Sequence, residues 1–526
     1  MDSSQEESKL HVLMVSFPGQ GHINPLLRLA KCLASKGLSI TFTTTANVGK
    51  MLENSNKSIT ETTAIGSGDL RFEFFSDGWE DDDPRRHDLG LLVPQIESSG
   101  RDFITRFITQ HAQDHNRRPV SCIINNAFIP WVVDVATEHG IPSAVLWVQS
   151  IAVYSVYYHY FHKLASFPTP EDHHASTKIP GLPPLDFDEI PSFLHPSSPY
   201  VSLQNAILEQ FKNLSKAFRV LVDSFDELEH EQIKIVSSNL PASITTTPLG
   251  QFHEQDLERS EIKCTRLLAP SSSNAEGAFE DNKTSTLSAP ITPVGPLIKF
   301  STGNEAVRAD MWSAADECLT WLDSHPPSSV VYVSFGSVVS LSEEQLAEMA
   351  FGLLDAGVPF LWSFRPPFTK HESHSGLPEE FLEHVNHYKK KCLIVKWAPQ
   401  DHVLAHPSVA CFVTHCGWNS TLESLSSGVP VVAFPQWGDQ VTDAKFLADV
   451  FGVGVRLVRS CEDLKNLSRG DVERCIREVT SGEKAEEMRK NALKWRKAAE
   501  DAVAPGGSSD RNVEAFVDEI KSLARK

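Results

Sequence analysis

The sequence opens with a strand-like run, a glycine-rich turn and a helix-like run, and this order constrains the fold more than any other feature. The strand-like run is HVLMVSF at 11–17, and the turn PGQGH follows at 18–22. Asn24 can cap a helix whose first turn suits Pro25, and apolar residues then recur at helical spacing. A second strand-like run, LSITFTT, lies at 38–44. Strand, helix and strand in this order predict a mostly parallel α/β sheet.

The same alternation continues and then restarts in the second half of the chain. Strand-like runs at 121–124 and 143–147 flank a helical stretch, and a new series opens with VVYVSFGS at 330–337. Next in this series, Ser342 and Gln345 have the spacing of a helix capping box. Further strand-like runs lie at 360–364, 392–397, 410–415 and 429–435. The sequence therefore predicts two Rossmann-like, doubly wound α/β domains, with ligands at the carboxyl ends of the strands.

The length and local composition divide the chain into four parts. The 526 residues exceed one ordinary domain of roughly 100–200 residues. The stretch before residue 292 is rich in Ser, Thr, Pro and Ala without a period, which is typical of a flexible insertion or linker. We expect an N-terminal domain over 1–240, this insertion over 241–292, a C-terminal domain over 293–505, and a helix over 506–526 that packs back on the N-terminal domain.

Charge and cysteine content restrict the classes of binding partner and the cellular compartment that we expect. The formal net charge is −20, which argues against nucleic acid, because protein–nucleic acid affinity depends on Lys and Arg at phosphates. The N-terminus is polar and acidic, unlike a secretory signal, and no apolar run approaches the ~20 residues that span a bilayer. Nine scattered cysteines fit reduced thiols. We expect a cytoplasmic monomer without integral membrane association.

The strongest functional signal is the block from Trp397 to Gln440. Within it, ACFVTH predicts a strand, the next two residues a turn, and Trp418 onward a helix that ends before Gly428. A helix that begins directly after a strand offers free backbone N–H groups and a positive dipole, which together favour a phosphate. The side chains of His415, Asn419 and Ser420 add hydrogen-bond donors at this place.

Other residues of the block suit the remaining parts of a nucleotide sugar. Glu423 lies one turn into the helix, where its carboxylate can accept hydrogen bonds from two adjacent ribose hydroxyls. Trp397 ends the preceding strand, where an indole can stack on a base. Asp439 and Gln440 follow the next strand and suit sugar hydroxyls. One block can thus bind base, ribose, diphosphate and sugar.

These residues resemble the signature of plant secondary-product glycosyltransferases, the UDP-sugar-dependent family with the GT-B fold, whose two domains face a cleft. The runs VSFPGQGHINP, PVGPL, ECLTWLD and VYVSFGS are also typical of that family. The resemblance implies UDP-glucose as donor, because the terminal glutamine of the block is associated with glucose, and it implies no cofactor and no metal. The donor-binding residues that it implies are Ser337, Trp397, Ala398, Gln400, His415, Trp418, Asn419, Ser420, Glu423, Asp439 and Gln440.

The catalytic histidine of the family corresponds to His22. We expect His22 on the glycine-rich turn just before a helix, where the positive dipole disfavours imidazolium and leaves a neutral ring. An aspartate ordinarily orients that histidine, but Asn126 stands at its place here. The resemblance also implies acceptor contacts from N-terminal loops, at Gln20, Phe128 and Gln149.

The missing aspartate suggests the class of acceptor. A phenol must lose a proton before it attacks the sugar, whereas a carboxylic acid with a pKa of about 4 is already ionised. A neutral Asn126 also avoids like-charge repulsion of that carboxylate. The chain resembles the ester-forming group of the family, which acts on hydroxybenzoates and hydroxycinnamates. We therefore expect inverting transfer to an aromatic carboxylate, giving a 1-O-acyl-β-glucose ester.

Three other interpretations compete with this one. The same class of enzyme can glucosylate a phenolic or flavonoid hydroxyl, giving an alkali-stable glucoside. A non-catalytic protein that binds UDP-sugars or aromatic acids would also explain the absent aspartate. A dinucleotide-binding fingerprint is disfavoured, because Gly19-Gln20-Gly21 lacks the third glycine and the second strand has no acidic residue at its end.

Overall fold

The computed structural model of the chain is a two-sheet α/β protein. It describes residues 9–55, 57–169, 176–196, 198, 200–238, 289–300, 311, 315, 317–336, 341–365, 376–458 and 467–525. Most of the predicted insertion over 241–292 lies outside the described residues, which resume at Ala289.

The first sheet has eight strands, in the order β3-β4-β2-β1-β5-β6-β7-β8. All neighbours pair in parallel except β3 and β4, which are antiparallel. The strands are β1 (His11–Val15), β2 (Ser39–Thr45), β3 (Thr63–Ile65), β4 (Gly68–Phe75), β5 (Val120–Asn126), β6 (Ser143–Trp147), β7 (Arg219–Val222) and β8 (Ile291–Pro293). Because β8 pairs with β7, residues 291–293 belong to the first sheet, although the sequence predicts the second domain from residue 293.

The second sheet has six parallel strands, in the order β11-β10-β9-β12-β13-β14. They are β9 (Val330–Ser334), β10 (Phe360–Ser363), β11 (Cys392–Val395), β12 (Val409–Thr414), β13 (Val431–Ala433) and β14 (Gly454–Arg456). The buried strands β9 and β12 are continuous runs of apolar residues, as expected for a parallel sheet covered on both faces. The two predicted doubly wound sheets are therefore confirmed.

Sixteen α-helices lie within the described ranges and cover the sheets. They are α1 (Gln20–Ser35), α2 (Ala46–Ser55), α3 (Leu89–Gln113), α4 (Trp131–Glu138), α5 (Ile151–Phe161), α6 (Val201–Asn213), α7 (Asp226–Ser238), α8 (Glu317–Asp323), α9 (Glu343–Ala356), α10 (Glu379–His387), α11 (Gln400–Ala405), α12 (Trp418–Ser427), α13 (Gln440–Lys445), α14 (Arg469–Thr480), α15 (Glu483–Val503) and α16 (Ser508–Leu523). The capping box at the start of α9 is confirmed, because the Ser342 hydroxyl accepts from the Gln345 N–H and the Gln345 side chain accepts from the Ser342 N–H. None of these helices combines the length and apolar character needed to cross a membrane.

The start of α1 differs from the sequence prediction. The helix begins at Gln20, so Asn24 does not cap it and His22 lies inside its first turn. The prediction was wrong because Pro25 was taken to mark the first turn, where its missing N–H costs nothing. In the structure Pro25 lies inside the helix, and the Gly21 carbonyl that it leaves free accepts instead from the Asn419 amide, at 2.8 Å.

The C-terminal helix α16 lies against the first domain. Val513, Phe516 and Val517 belong to the same buried cluster as the apolar residues of α1 and β1. Two ion pairs reinforce this contact, Lys36 with Asp510 at 3.0 Å and Arg219 with Glu519 at 2.7 Å. The preceding helix α15 packs in the core of the second domain. The chain thus crosses between the domains twice.

Candidate active site

A cleft of about 240 Å³ lies between the carboxyl ends of the two sheets. Its walls come from the loops after β1, β5 and β6 on one side and after β9, β11, β12 and β13 on the other. Of the residues predicted to bind or react, it is lined by Gln20, His22, Phe128, Gln149, Trp397, Ala398, Gln400, His415, Trp418, Asn419, Ser420, Glu423 and Asp439. Asn126 and Gln440 do not line it, and Ser337 lies outside the described residues.

The junction between β12 and α12 forms the floor of the donor side. Cys416 adopts a positive φ of 65°, Gly417 caps the helix, and α12 runs from Trp418 to Ser427 as the sequence predicts. Within the part of the chain that the structure describes, no side chain caps this N-terminus, so its first backbone N–H groups remain open to a ligand. Such an end binds an anionic group through N–H donors and the helix dipole.

The ring of His415 lies in a slot between two glycines. A β-carbon at Gly336 would come within 2.8 Å of the ring, and one at Gly417 within 2.6 Å. Gly336 also has a φ of +73°, which only glycine adopts without strain. Burial lowers the pKa of His415 to about 4, so the ring is neutral at physiological pH. A neutral imidazole can donate one N–H to a phosphate oxygen.

Both oxygens of Glu423 are held by neighbouring side chains. Oε1 accepts from the guanidinium of Arg28 at 2.8 Å, and Oε2 accepts from the Gln400 amide at 2.7 Å. The same amide donates to Ser420, and the carbonyl oxygen of Gln400 accepts from the Tyr332 hydroxyl. The sequence predicts Glu423 as a donor-site carboxylate but gives no indication of Arg28, which lies 395 residues earlier.

Two predicted diphosphate residues also connect the domains. The Trp418 indole N–H donates to the Asp223 carbonyl at 2.7 Å, and the Asn419 amide donates to the Gly21 carbonyl at 2.8 Å. The Trp418 side chain is therefore committed to the first domain, and only its backbone N–H remains for a phosphate. Burial raises the pKa of the Asp223 carboxyl to about 6.

The loop after β13 carries the residues predicted to bind the sugar. Asp439 lies in the cleft wall, hydrogen-bonded to Gln149, and burial raises the pKa of its carboxyl above the ordinary value. The side-chain oxygen of Gln440 instead accepts from the backbone N–H groups of Gln436 and Trp437, at 3.0 and 3.3 Å. Gln440 thus shapes the loop that presents Asp439.

His22 projects from the first turn of α1 into an aromatic environment. Its ring lies 5.1 Å from that of Phe17 and 4.9 Å from that of Phe128, both edge-on. Among the residues that the structure describes, nothing hydrogen-bonds to its Nδ1 atom. Burial lowers the pKa of His22 to about 3, so the ring is neutral but weakly basic.

Asn126 lies beneath His22 at the end of β5 and is fully buried. Its side-chain oxygen accepts from the Phe17 N–H at 3.0 Å, and its side-chain NH2 group donates to the Ser16 hydroxyl at 3.1 Å and to the His22 backbone carbonyl at 2.9 Å. Asn126 therefore fixes the loop between β1 and α1 through backbone contacts, and it does not hydrogen-bond to the imidazole.

The end of the cleft where the sequence predicts the acceptor is mostly apolar. Phe128, Val148, Phe193 and Trp437 line it, and the rings of Phe193 and Trp437 are 5.4 Å apart. Gln20 faces the same cleft, but its side chain donates to Asn24 and accepts from the Met311 N–H. The sequence gives no indication that Phe193 and Trp437 line one wall, because nothing local relates the loop that carries Phe193 to the loop after β13.

Two family models match the chain. The model described as UDP-glucoronosyl and UDP-glucosyl transferase matches residues 287–501, and the model described as glycosyltransferase, N-terminal domain, matches residues 8–65. Together they span the loop after β1 and all the strands of the second sheet, but not the loops after β5 and β6.

Relatives of known name match over almost the whole chain. A gallate 1-beta-glucosyltransferase of Punica granatum is 50% identical over 98% of this chain and 89% of its own length. A cinnamate beta-D-glucosyltransferase of Fragaria ananassa is 49% identical over 98% of this chain and 84% of its own length. Among solved structures, Os79 from O. sativa in complex with UDP is 28% identical, with a TM-score of 0.76 over 97% of this chain and 100% of its own.

Proposed function

The chain belongs to the UDP-glucoronosyl and UDP-glucosyl transferase family, and on this premise we propose that it transfers glucose from UDP-glucose to the carboxylate of a hydroxybenzoic or hydroxycinnamic acid. The product is a 1-O-acyl-β-glucose ester. The names of the two relatives, a gallate and a cinnamate glucosyltransferase, support this class of acceptor.

The proposal rests mainly on the environment of His22. A phenol has a pKa of about 10 and needs a base to assist its ionisation, whereas a benzoate is ionised at neutral pH. With a pKa of about 3 and an amide rather than a carboxylate beneath it, His22 is a poor base. An acceptor that arrives ionised does not need a stronger one.

The donor is bound by the second domain. Trp397 stacks on uracil, Glu423 accepts from the ribose hydroxyls, and the start of α12 with His415 binds the diphosphate. Asp439 accepts from glucose hydroxyls, with Gln149 fixing its orientation. This arrangement directs the anomeric carbon toward His22.

The reaction is then a single displacement. A carboxylate oxygen attacks the anomeric carbon on the face opposite UDP, and the bond from that carbon to the β-phosphate oxygen breaks. The electron pair leaves with UDP, and no proton moves. The N–H groups at the start of α12 stabilise the charge that develops on the diphosphate, so the proposed step requires no metal or further cofactor. Inversion converts the α-linked donor into a β-ester.

Product analysis tests the proposal. The protein is incubated with UDP-glucose and matched pairs of acceptors, each a benzoic or cinnamic acid and the phenol with the same ring. We expect a hexose adduct on the acids that mild alkali cleaves, because esters hydrolyse and glycosides persist. An alkali-stable adduct alone would establish the phenolic alternative instead. Binding of UDP-glucose without UDP release on any acceptor would establish a non-catalytic binding protein.

We also propose that the enzyme works as a cytoplasmic monomer. The seven cysteines within the described ranges are unpaired and buried, which is typical of proteins in a reducing compartment. Light scattering during size-exclusion chromatography at assay concentration tests this, and a mass near twice 58.3 kDa would contradict it.

A further inference from the structure

An ion pair joins the first domain to the predicted ribose site. Arg28 lies on α1, and its guanidinium donates to Oε1 of Glu423 on α12 at 2.8 Å. Both side chains are largely withdrawn from water, with 20% and 8% of their surfaces exposed. Burial alone would lower the pKa of Arg28, but the charge of Glu423 and the hydrogen bond to it raise that pKa, so the guanidinium stays charged.

Arg28 is the only Lys or Arg among the described residues that line the cleft. It lies on the same face of α1 as Gln20 and Asn24, at successive intervals of four residues, and this face is turned toward the second domain. The first domain therefore contributes a cation to a binding site that otherwise belongs to the second.

The hydrogen bonds leave Glu423 with a defined free edge. An ionised carboxylate has about four lone-pair sites. Arg28 occupies one site on Oε1, and the Gln400 amide occupies one on Oε2. One site remains on each oxygen, and a carboxylate held at both oxygens cannot rotate. Two adjacent hydroxyl donors, such as those of a ribose, match such an edge.

We propose that Arg28 is a positioning residue, which holds the Glu423 carboxylate in the orientation that accepts both ribose hydroxyls of the donor. Because Arg28 belongs to the first domain, ribose recognition depends on the two domains being together. This inference rests on the proposed function, since it assumes that the nucleotide lies along α12. It goes further by assigning discrimination for the ribose to a residue outside the nucleotide-binding domain.

The variant Arg28→Met tests the inference by equilibrium binding. Dissociation constants are measured for UDP and for 2′,3′-dideoxy-UDP, which lacks both hydroxyls, without acceptor, for the wild type and the variant. A hydrogen bond to a charged group is worth roughly a 10- to 100-fold change in affinity. We expect the variant to bind UDP at least 10-fold more weakly and 2′,3′-dideoxy-UDP less than threefold more weakly, so that the preference for UDP falls at least threefold.

The control is Lys36→Met, at the residue that caps the C-terminal end of the same helix. Lys36 also pairs across to a distant element, with Asp510 of α16 at 3.0 Å, but it does not line the cleft. We expect this variant to keep the wild-type preference between the two nucleotides. If Arg28→Met does not fold, Arg28→Lys gives the same comparison, because a single ammonium replaces the planar fork. Its preference for UDP should fall at least threefold.

Several results would overturn the inference. An Arg28→Met protein that loses affinity for both nucleotides equally has only a structural defect, and one that keeps the wild-type preference does not need Arg28 for the ribose. A wild type that binds both nucleotides alike has no such ribose site. A wild type that binds neither nucleotide instead contradicts the proposed function itself, so the two failures are distinguishable.

Discussion

Replacing Asn126 by aspartate perturbs both the fold and the proposed choice of acceptor. The amide of Asn126 donates to Ser16 and to the His22 carbonyl. In Asn126→Asp the Ser16 hydroxyl can donate to the new carboxylate only by giving up its hydrogen bond to the Phe17 carbonyl, and the His22 carbonyl then faces an oxygen and loses its donor. An unsatisfied buried acceptor costs about 1–3 kcal/mol, and burying a charge adds to this. We expect the free energy of unfolding to fall by about 2–4 kcal/mol.

The effect on catalysis is a shift in acceptor preference. The introduced carboxylate would repel the carboxylate of the acceptor. For a separation of roughly 8 Å and an effective dielectric constant of about 20, this repulsion is ~2 kcal/mol, or about 30-fold in rate. The assay compares kcat/KM of the wild type and Asn126→Asp at pH 8, with a benzoate and the phenol of the same ring. We expect the benzoate to lose about 30-fold more than the phenol.

The neighbouring residue supplies a matched control. Asn125 is also buried, but as the adjacent residue of β5 it points to the other face of the sheet, where its amide donates to the Ile129 carbonyl. Asn125→Asp should destabilise the fold by a comparable amount and leave the ratio of benzoate to phenol within threefold of the wild type. Equal losses on both acceptors in Asn126→Asp would refute the electrostatic argument.

Three further predictions concern the donor site. Gly336→Ala and Gly357→Ala both place alanine at a φ of +73°, but only the first meets the ring of His415; titration with UDP should show at least a 10-fold loss in Gly336→Ala alone. Trp418→Phe removes the hydrogen bond to the Asp223 carbonyl, so denaturant unfolding should show a loss of about 1–2 kcal/mol while UDP affinity stays within threefold; a large loss of affinity would mean that the indole contacts the nucleotide. Burial lowers the pKa of His415 to about 4, so below about pH 6.5 the unfolded chain takes up a proton that the folded chain does not, and the free energy of unfolding falls as the pH falls. Between pH 7.5 and 5 the wild type should lose about 2 kcal/mol more of this free energy than His415→Gln, and equal losses would contradict the lowered pKa.

Local signals made the second domain readable from the sequence. The capping box of α9 and the span of α12, ending at Gly428 with a φ of 72°, depend on residues within one helical turn of each other. Their hydrogen bonds join residues that are close together in the sequence, so a local pattern is enough to predict them. The donor-site block is contiguous for the same reason, and most of its predicted residues line the cleft.

Contacts between the domains were not readable in this way. The start of α1 was misplaced because the structure tolerates Pro25 inside the helix only with an amide from Asn419, almost 400 residues away, on the freed carbonyl. The ion pair of Arg28 with Glu423 has the same origin. No periodicity or spacing encodes such a partner, because it depends on how two separately folded sheets meet.

The proposed mechanism depends most on the position of the nucleotide, which a crystal structure of the protein with bound UDP would test directly. We expect the diphosphate at the N-terminal end of α12 beside His415, the ribose hydroxyls on the free edge of Glu423, and uracil against Trp397. Density for UDP elsewhere in the molecule, with the junction between β12 and α12 unchanged, would contradict the proposed nucleotide site.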